Sequence, residues 1–88
     1  MNATGSPDRG TMLELVLYGR PACHLCDEMA EELADALRGR PYRLRIEDVD
    51  SRPDWRERYG PRVPVLALAD GTELCHYRLD PDNLRRLG

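Results

Sequence analysis

The sequence predicts one α/β domain of order β-α-β-α-β-β-α, with a four-stranded mixed sheet and helices on both faces. Two apolar runs, Leu13–Tyr18 and Val63–Ala69, read as central strands buried on both sides. Between them, apolar residues spaced four apart mark a helix. After the second run, Asp70-Gly71 is a hairpin turn signal, so the last two strands are antiparallel.

Met1–Thr11 is small and polar with Gly and Pro, which predicts a flexible N-terminal tail and a domain over residues 12–88. Leu13–Tyr18 forms the first strand, broken by Gly19-Arg20-Pro21. Over Cys23–Arg38, Leu25, Met29, Leu33 and Leu37 line one helical face beside Ala30 and Ala34. The acidic residues of its first turns suit the positive end of the helix dipole, and Gly39 and Pro41 end it. Tyr42–Ile46 alternates strictly, with Tyr42, Leu44 and Ile46 expected inward on an edge strand. Ser51-Arg52-Pro53-Asp54 resembles a capping box with proline in the first turn, opening a short helix to about Tyr59 that Gly60-Pro61 stops. Glu73–Arg78 pairs back on Val63–Ala69, and Asp80 or Pro81 opens a last helix. A right-handed crossover makes the first two strands parallel.

A chain of 88 residues buries only roughly 60–65% of its unfolded surface, so a large internal ligand cavity is not expected. With 41% apolar and 33% charged residues the chain reads as soluble and globular. Its 13 basic residues, all Arg, face 16 acidic ones for a net charge of −3, which argues against a nucleic-acid partner. No apolar run approaches the roughly 20 residues that span a bilayer, and the N-terminus lacks the apolar stretch of a secretory signal. A cytoplasmic protein with no membrane partner is therefore expected. Three cysteines are too few for a disulfide framework, which leaves a close pair catalytic or metal-binding.

That pair is Cys23-His24-Leu25-Cys26, at a strand-to-helix junction. Free backbone N–H groups and the dipole of a first helical turn favour an anion, and thiolate is the nucleophilic form of cysteine. Cys23 is expected at the first helical position, with Cys26 three residues on and able to close a disulfide with it. A metal-binding module is the alternative, either zinc, with Cys23, Cys26, Cys75, His24 and His76 as candidate ligands, or an iron–sulfur cluster shared across a dimer with glutathione as a further ligand. Cys75 and His76 are neighbours on a strand and face opposite ways, so both cannot reach one metal, and the redox reading is preferred, with no metal ligand assigned. A non-catalytic adaptor is a third reading, which two thiols at a helix start do not require.

The segment Tyr18-Gly19-Arg20-Pro21-Ala22-Cys23-His24-Leu25-Cys26, with the later Arg62-Val63-Pro64, resembles the glutaredoxin pattern of a basic residue, CxxC and a distant Val-Pro. From Leu13 onward the chain is similar to short bacterial glutaredoxin-like proteins. That resemblance implies a thioredoxin-like (glutaredoxin) fold and a disulfide oxidoreductase with Cys23 attacking and Cys26 resolving. It implies a cis Val63–Pro64 bond, with the Val63 backbone meeting substrate. It also assigns Arg20 to the thiolate or a glutathione carboxylate, and Tyr18 to an aromatic place beside the site. Protein disulfides or glutathione are the implied substrates, with a reductase or glutathione as electron donor. No cofactor is expected to be bound, glutathione being a co-substrate, and a monomer is expected.

Two departures bear on substrate. His24-Leu25 replaces the Pro-Tyr common between the cysteines of glutaredoxins. Tyr77-Arg78-Leu79-Asp80-Pro81-Asp82 replaces the Gly-Gly-then-Asp segment that holds glutathione's γ-glutamyl end, and Asp82 there is more simply a helix cap. Among other residues, His24 stands next to the nucleophile, Cys75 is expected to face the core, and His76 to lie on an edge strand. Trp55 and Tyr59, four apart, are expected to pack onto the sheet.

Overall fold

A computed structural model describes residues 12–85. The expected tail over Met1–Thr11 lies outside the described residues. The elements are β1 (Leu13–Gly19), α1 (His24–Ala36), β2 (Tyr42–Asp48), α2 (Pro53–Tyr59), β3 (Val65–Leu68), β4 (Glu73–His76) and α3 (Pro81–Arg85). Single 3₁₀ turns at Val49–Ser51 and Gly60–Arg62 flank α2. The sheet order is β2-β1-β3-β4, with β1 and β2 parallel and the other pairs antiparallel. The two apolar strands are central, as their double-sided burial requires.

Alternation along β1 splits the core into two layers. Leu15 and Leu17 point to one face, where Met29, Leu33 and Leu37 of the α1 stripe and Leu84 of α3 cover them. Val16 and Tyr18 point to the other, under Val49, Tyr59 and Trp55. Burial of each such side chain is worth roughly 1.5–3 kcal/mol of transfer free energy, which makes this two-sided strand the main anchor of a small domain.

Several elements depart from the sequence reading for local reasons. β3 begins at Val65 rather than Val63, because Pro64 has no N–H to give a ladder. β4 stops at His76 because Tyr77 adopts a positive φ of 66°, and its N–H turns to the carbonyl of Pro64 at 2.9 Å. Ser51 does not cap α2: its Oγ donates to the Asp48 carbonyl, and Arg52 takes the N-cap position without a side-chain capping bond, its guanidinium going to Asp54 instead. Pro53 does open that helix. Ile46 is 64% exposed instead of inward, although Tyr42 and Leu44 on the same strand do pack on the core. Leu25, expected on the α1 stripe, is 40% exposed, and Cys26 takes the interior position of that turn.

Candidate active site at the first turn of α1

β1 delivers the chain to the sheet's end at Gly19. A tight turn follows through Pro21 and Ala22, the latter at φ 61°, a left-handed conformation that non-glycine residues seldom hold. Cys23 then stands in extended conformation as the N-cap of α1, not at the first helical position expected from sequence. The difference matters chemically. From the N-cap the sulfur reaches back over the first turn and accepts the Cys26 backbone N–H at 3.3 Å. It therefore occupies the place of a capping oxygen, facing donors that the helix leaves unsatisfied.

Cys26, the donor of that bond, is only 7% exposed. Burial, followed by the neighbouring Cys23 sulfur, pushes its thiol up to about 11, and the Arg20 backbone N–H opposes this. The site thus holds one half-exposed sulfur at the helix terminus and one buried sulfur kept protonated at neutral pH. Gly19 makes room for the second. A Cβ added at Gly19 would lie 2.4 Å from Cys26 Sγ, so only a residue without a side chain lets β1 pass this close. In sequence Gly19 signals only a strand end; its second role is hinted at by a glycine closing a buried strand just ahead of the cysteines.

The other candidates are brought to this end of the sheet to different degrees. β1 and β3 pair Tyr18 with Val65, so Pro64, the residue just before β3, lies toward the end of the sheet where β1 closes at Gly19. The Val63–Pro64 peptide bond is cis, Pro64 is buried, and Val63 packs on the second core layer. Arg20 lies close enough to Cys23 to interact with it electrostatically, and it is also paired across the site entrance. Its Nε donates to Asp50 Oδ2 at 2.9 Å and its Nη1 to the Gly60 carbonyl at 3.2 Å. No local pattern flags Asp50, since the pair is thirty residues apart in sequence. Tyr18 lies away from the cysteines, its ring stacked on Tyr59 at 4.2 Å and edge-on to Trp55 at 5.3 Å. That follows from strand alternation, which gives Tyr18 the face of Val16. His24 is exposed, Cys75 packs partly against the first core layer, and His76 is exposed on the β4 edge.

Beside Cys26 lies an open groove of about 290 Å³. Leu17, Ala30 and Ile46 form its apolar walls, while Asp27, Glu47 and Asp48 line it with carboxylates. The small Ala22 and Ala30 leave the groove open, which explains why Ile46 is uncovered. Among the described residues no three His, Cys, Asp or Glu side chains converge as metal ligands would. No described helix is long and apolar enough to cross a membrane.

A four-stranded mixed sheet with a cysteine pair at the start of its first helix belongs to the thioredoxin-like class, and comparison with solved structures agrees. Thioredoxin 1 from Thermosipho africanus aligns at a TM-score of 0.56 with 13% identity, over 85% of this chain and 93% of its own, a likeness of fold alone. Protein Ne2328 from Nitrosomonas europaea aligns at 0.78 with 35% identity, covering 99% of this chain and 98% of its own. Protein XcR50 from X. campestris, seen by X-ray, aligns at 0.66 with 37% identity over 83% and 92%. Residues 14–87 match the family described as Glutaredoxin-like domain (DUF836), and the chain belongs to that family. Uncharacterized proteins of Mycobacterium bovis and Mycobacterium tuberculosis are 31% identical over 77 residues, 82% of this chain and 78% of theirs.

Proposed function

We propose that this protein is a thiol–disulfide oxidoreductase acting through Cys23 and Cys26. The observation that carries this is the pairing of a half-exposed Cys23 sulfur, capping the α1 N-terminus 3.3 Å from the Cys26 N–H, with a buried Cys26 thiol beside it. The helix terminus offers the Cys23 sulfur backbone N–H donors, and thiolate is the attacking form of cysteine. Cys23 thiolate attacks one sulfur of a substrate disulfide, giving a mixed disulfide and releasing the first thiolate, which takes a proton from water. Cys26 then loses its proton and attacks Cys23 Sγ, forming the intramolecular disulfide and releasing the second thiolate. The substrate gains two electrons and the protein loses two. A thiol donor, glutathione or a reductase, returns the pair to the dithiol.

Burial suits Cys26 to the second step. It stays a thiol, out of competition for substrate, until a mixed disulfide at Cys23 draws it in. Val63, at the cis bond, is assigned to meet the substrate backbone, and Arg20 to shape the entrance without binding a ligand carboxylate directly. A cytoplasmic location fits, since its reducing conditions keep such a pair ready to react. The test is turnover of hydroxyethyl disulfide, with glutathione or a thioredoxin reductase system as donor. Wild-type protein is expected to turn over and Cys23→Ser to be inactive. Undiminished turnover by Cys23→Ser would overturn the assignment.

A further inference from the structure

Among the described residues lining the groove beside Cys26, the one cation is Arg20, and it is already paired. The Arg20 guanidinium meets Asp50 side-on, Nε to Oδ2 at 2.9 Å and Nη2 to Oδ1 at 3.4 Å, and Nη1 goes to the Gly60 carbonyl. Asp50 is held from a second side by Arg56, whose Nε lies 3.4 Å from Oδ1 and whose Nη2 donates to the Asp50 carbonyl. The same Arg20 lines the groove beside Cys26, together with Asp27, Glu47 and Asp48. Among the described residues that line this entrance, Arg20 is the one cation and is held by Asp50, Glu47 is paired with Arg45 at 2.8 Å, and Asp27 and Asp48 add further carboxylates.

From this arrangement we propose that Asp50 sets the charge selectivity of the site. By holding Arg20 it denies anionic disulfides an electrostatic partner and leaves the site open to neutral and cationic ones. The inference rests on the exchange reaction proposed above and names its substrate class: disulfides flanked by neutral or basic groups. The chemistry is the same for every substrate, a two-electron reduction of the disulfide with oxidation of Cys23 and Cys26. Only the approach of the charged substrate differs. Asp50 touches no reacting atom and acts through Arg20, so it is a positioning residue. The lowered protonation range of the Asp50 carboxyl beside Arg20 keeps it charged through neutral pH.

The experiment measures kcat/KM for three small symmetrical disulfides: dithiodiglycolate (anionic), hydroxyethyl disulfide (neutral) and cystamine (cationic). Asp50→Asn keeps size and shape, and Asp50→Ser is a second route should the first fail to fold. Either is expected to raise the anionic-to-neutral ratio roughly three- to fivefold at low salt, the range of an exposed ion pair. Added salt is expected to erase that gain, as is Arg20→Gln placed on top of Asp50→Asn. Unchanged ratios in both Asp50 variants, or a gain that survives Arg20→Gln, would overturn the proposal. Absence of turnover by wild-type protein with all three disulfides would instead overturn the exchange reaction itself, and this inference with it.

Discussion

The sulfur of Cys23 caps the helix on which Cys26 rides, accepting the Cys26 backbone N–H at 3.3 Å. One hydrogen bond thus joins the attacking group, the helix terminus and the backbone of the resolving residue. Stability should report it. Replacing an N-cap acceptor by Ala costs typically about 1 kcal/mol. Cys23→Ala is therefore expected to be less stable than Cys23→Ser by about that amount, because the serine hydroxyl can keep the bond. Denaturant midpoints of the two variants check this, and equal midpoints would show that the cap carries no weight.

Raised protonation at Cys26 gives a pH signature with a definite sign. Folding lifts this thiol from an ordinary 9.0 to about 11. The unfolded chain releases the proton first, so Cys26's contribution to stability is whole below pH 9 and is lost as pH rises toward 11. Cys75 and Tyr18, both raised chiefly by burial, act in the same direction. Melting temperature is expected to fall across this window, and to fall less steeply in Cys26→Ala. Identical slopes in the two proteins would contradict the burial of that thiol.

Gly19 should tolerate no side chain. Its missing Cβ would sit 2.4 Å from Cys26 Sγ, and the obstacle sits on a packed helix. Overpacking of this kind costs typically 1–3 kcal/mol. Gly19→Ala is expected to lose stability in that range and to lower turnover by displacing Cys26. Combining it with Cys26→Ala, which removes the obstructing sulfur, should restore much of the stability. A thermal melt of the single and double variants decides it.

Much of this arrangement was legible in the residues, for identifiable reasons. β1 was readable because a strand between two helical layers must be apolar on both sides, and Leu15 to Tyr18 are buried. The cysteines were readable because their spacing fell where a strand gives way to a helix. What escaped depended on contacts distant in sequence or on local geometry finer than periodicity. Arg20 and Asp50 meet only after β2 has crossed beside β1. Ile46 obeys the alternation of its strand, but the groove beside the small Ala22 and Ala30 leaves it uncovered. Tyr18 sits one residue from Gly19, yet the pleat sends its ring beneath α2. Ser51 had the composition of a cap but spends its hydroxyl on the Asp48 carbonyl.

The central claim concerns two sulfurs that act in sequence, and trapping the step between them tests it most directly. In Cys26→Ser the second attack cannot occur, so a disulfide substrate should leave one half of itself bound to Cys23. Mass spectrometry of that variant after brief exposure to hydroxyethyl disulfide, with peptide mapping, is expected to find a single adduct on Cys23. Wild-type protein treated alike should carry no adduct and be lighter by two hydrogens. An adduct on Cys75 with Cys23 unmodified, or wild-type protein that never closes the Cys23–Cys26 bond, would contradict it.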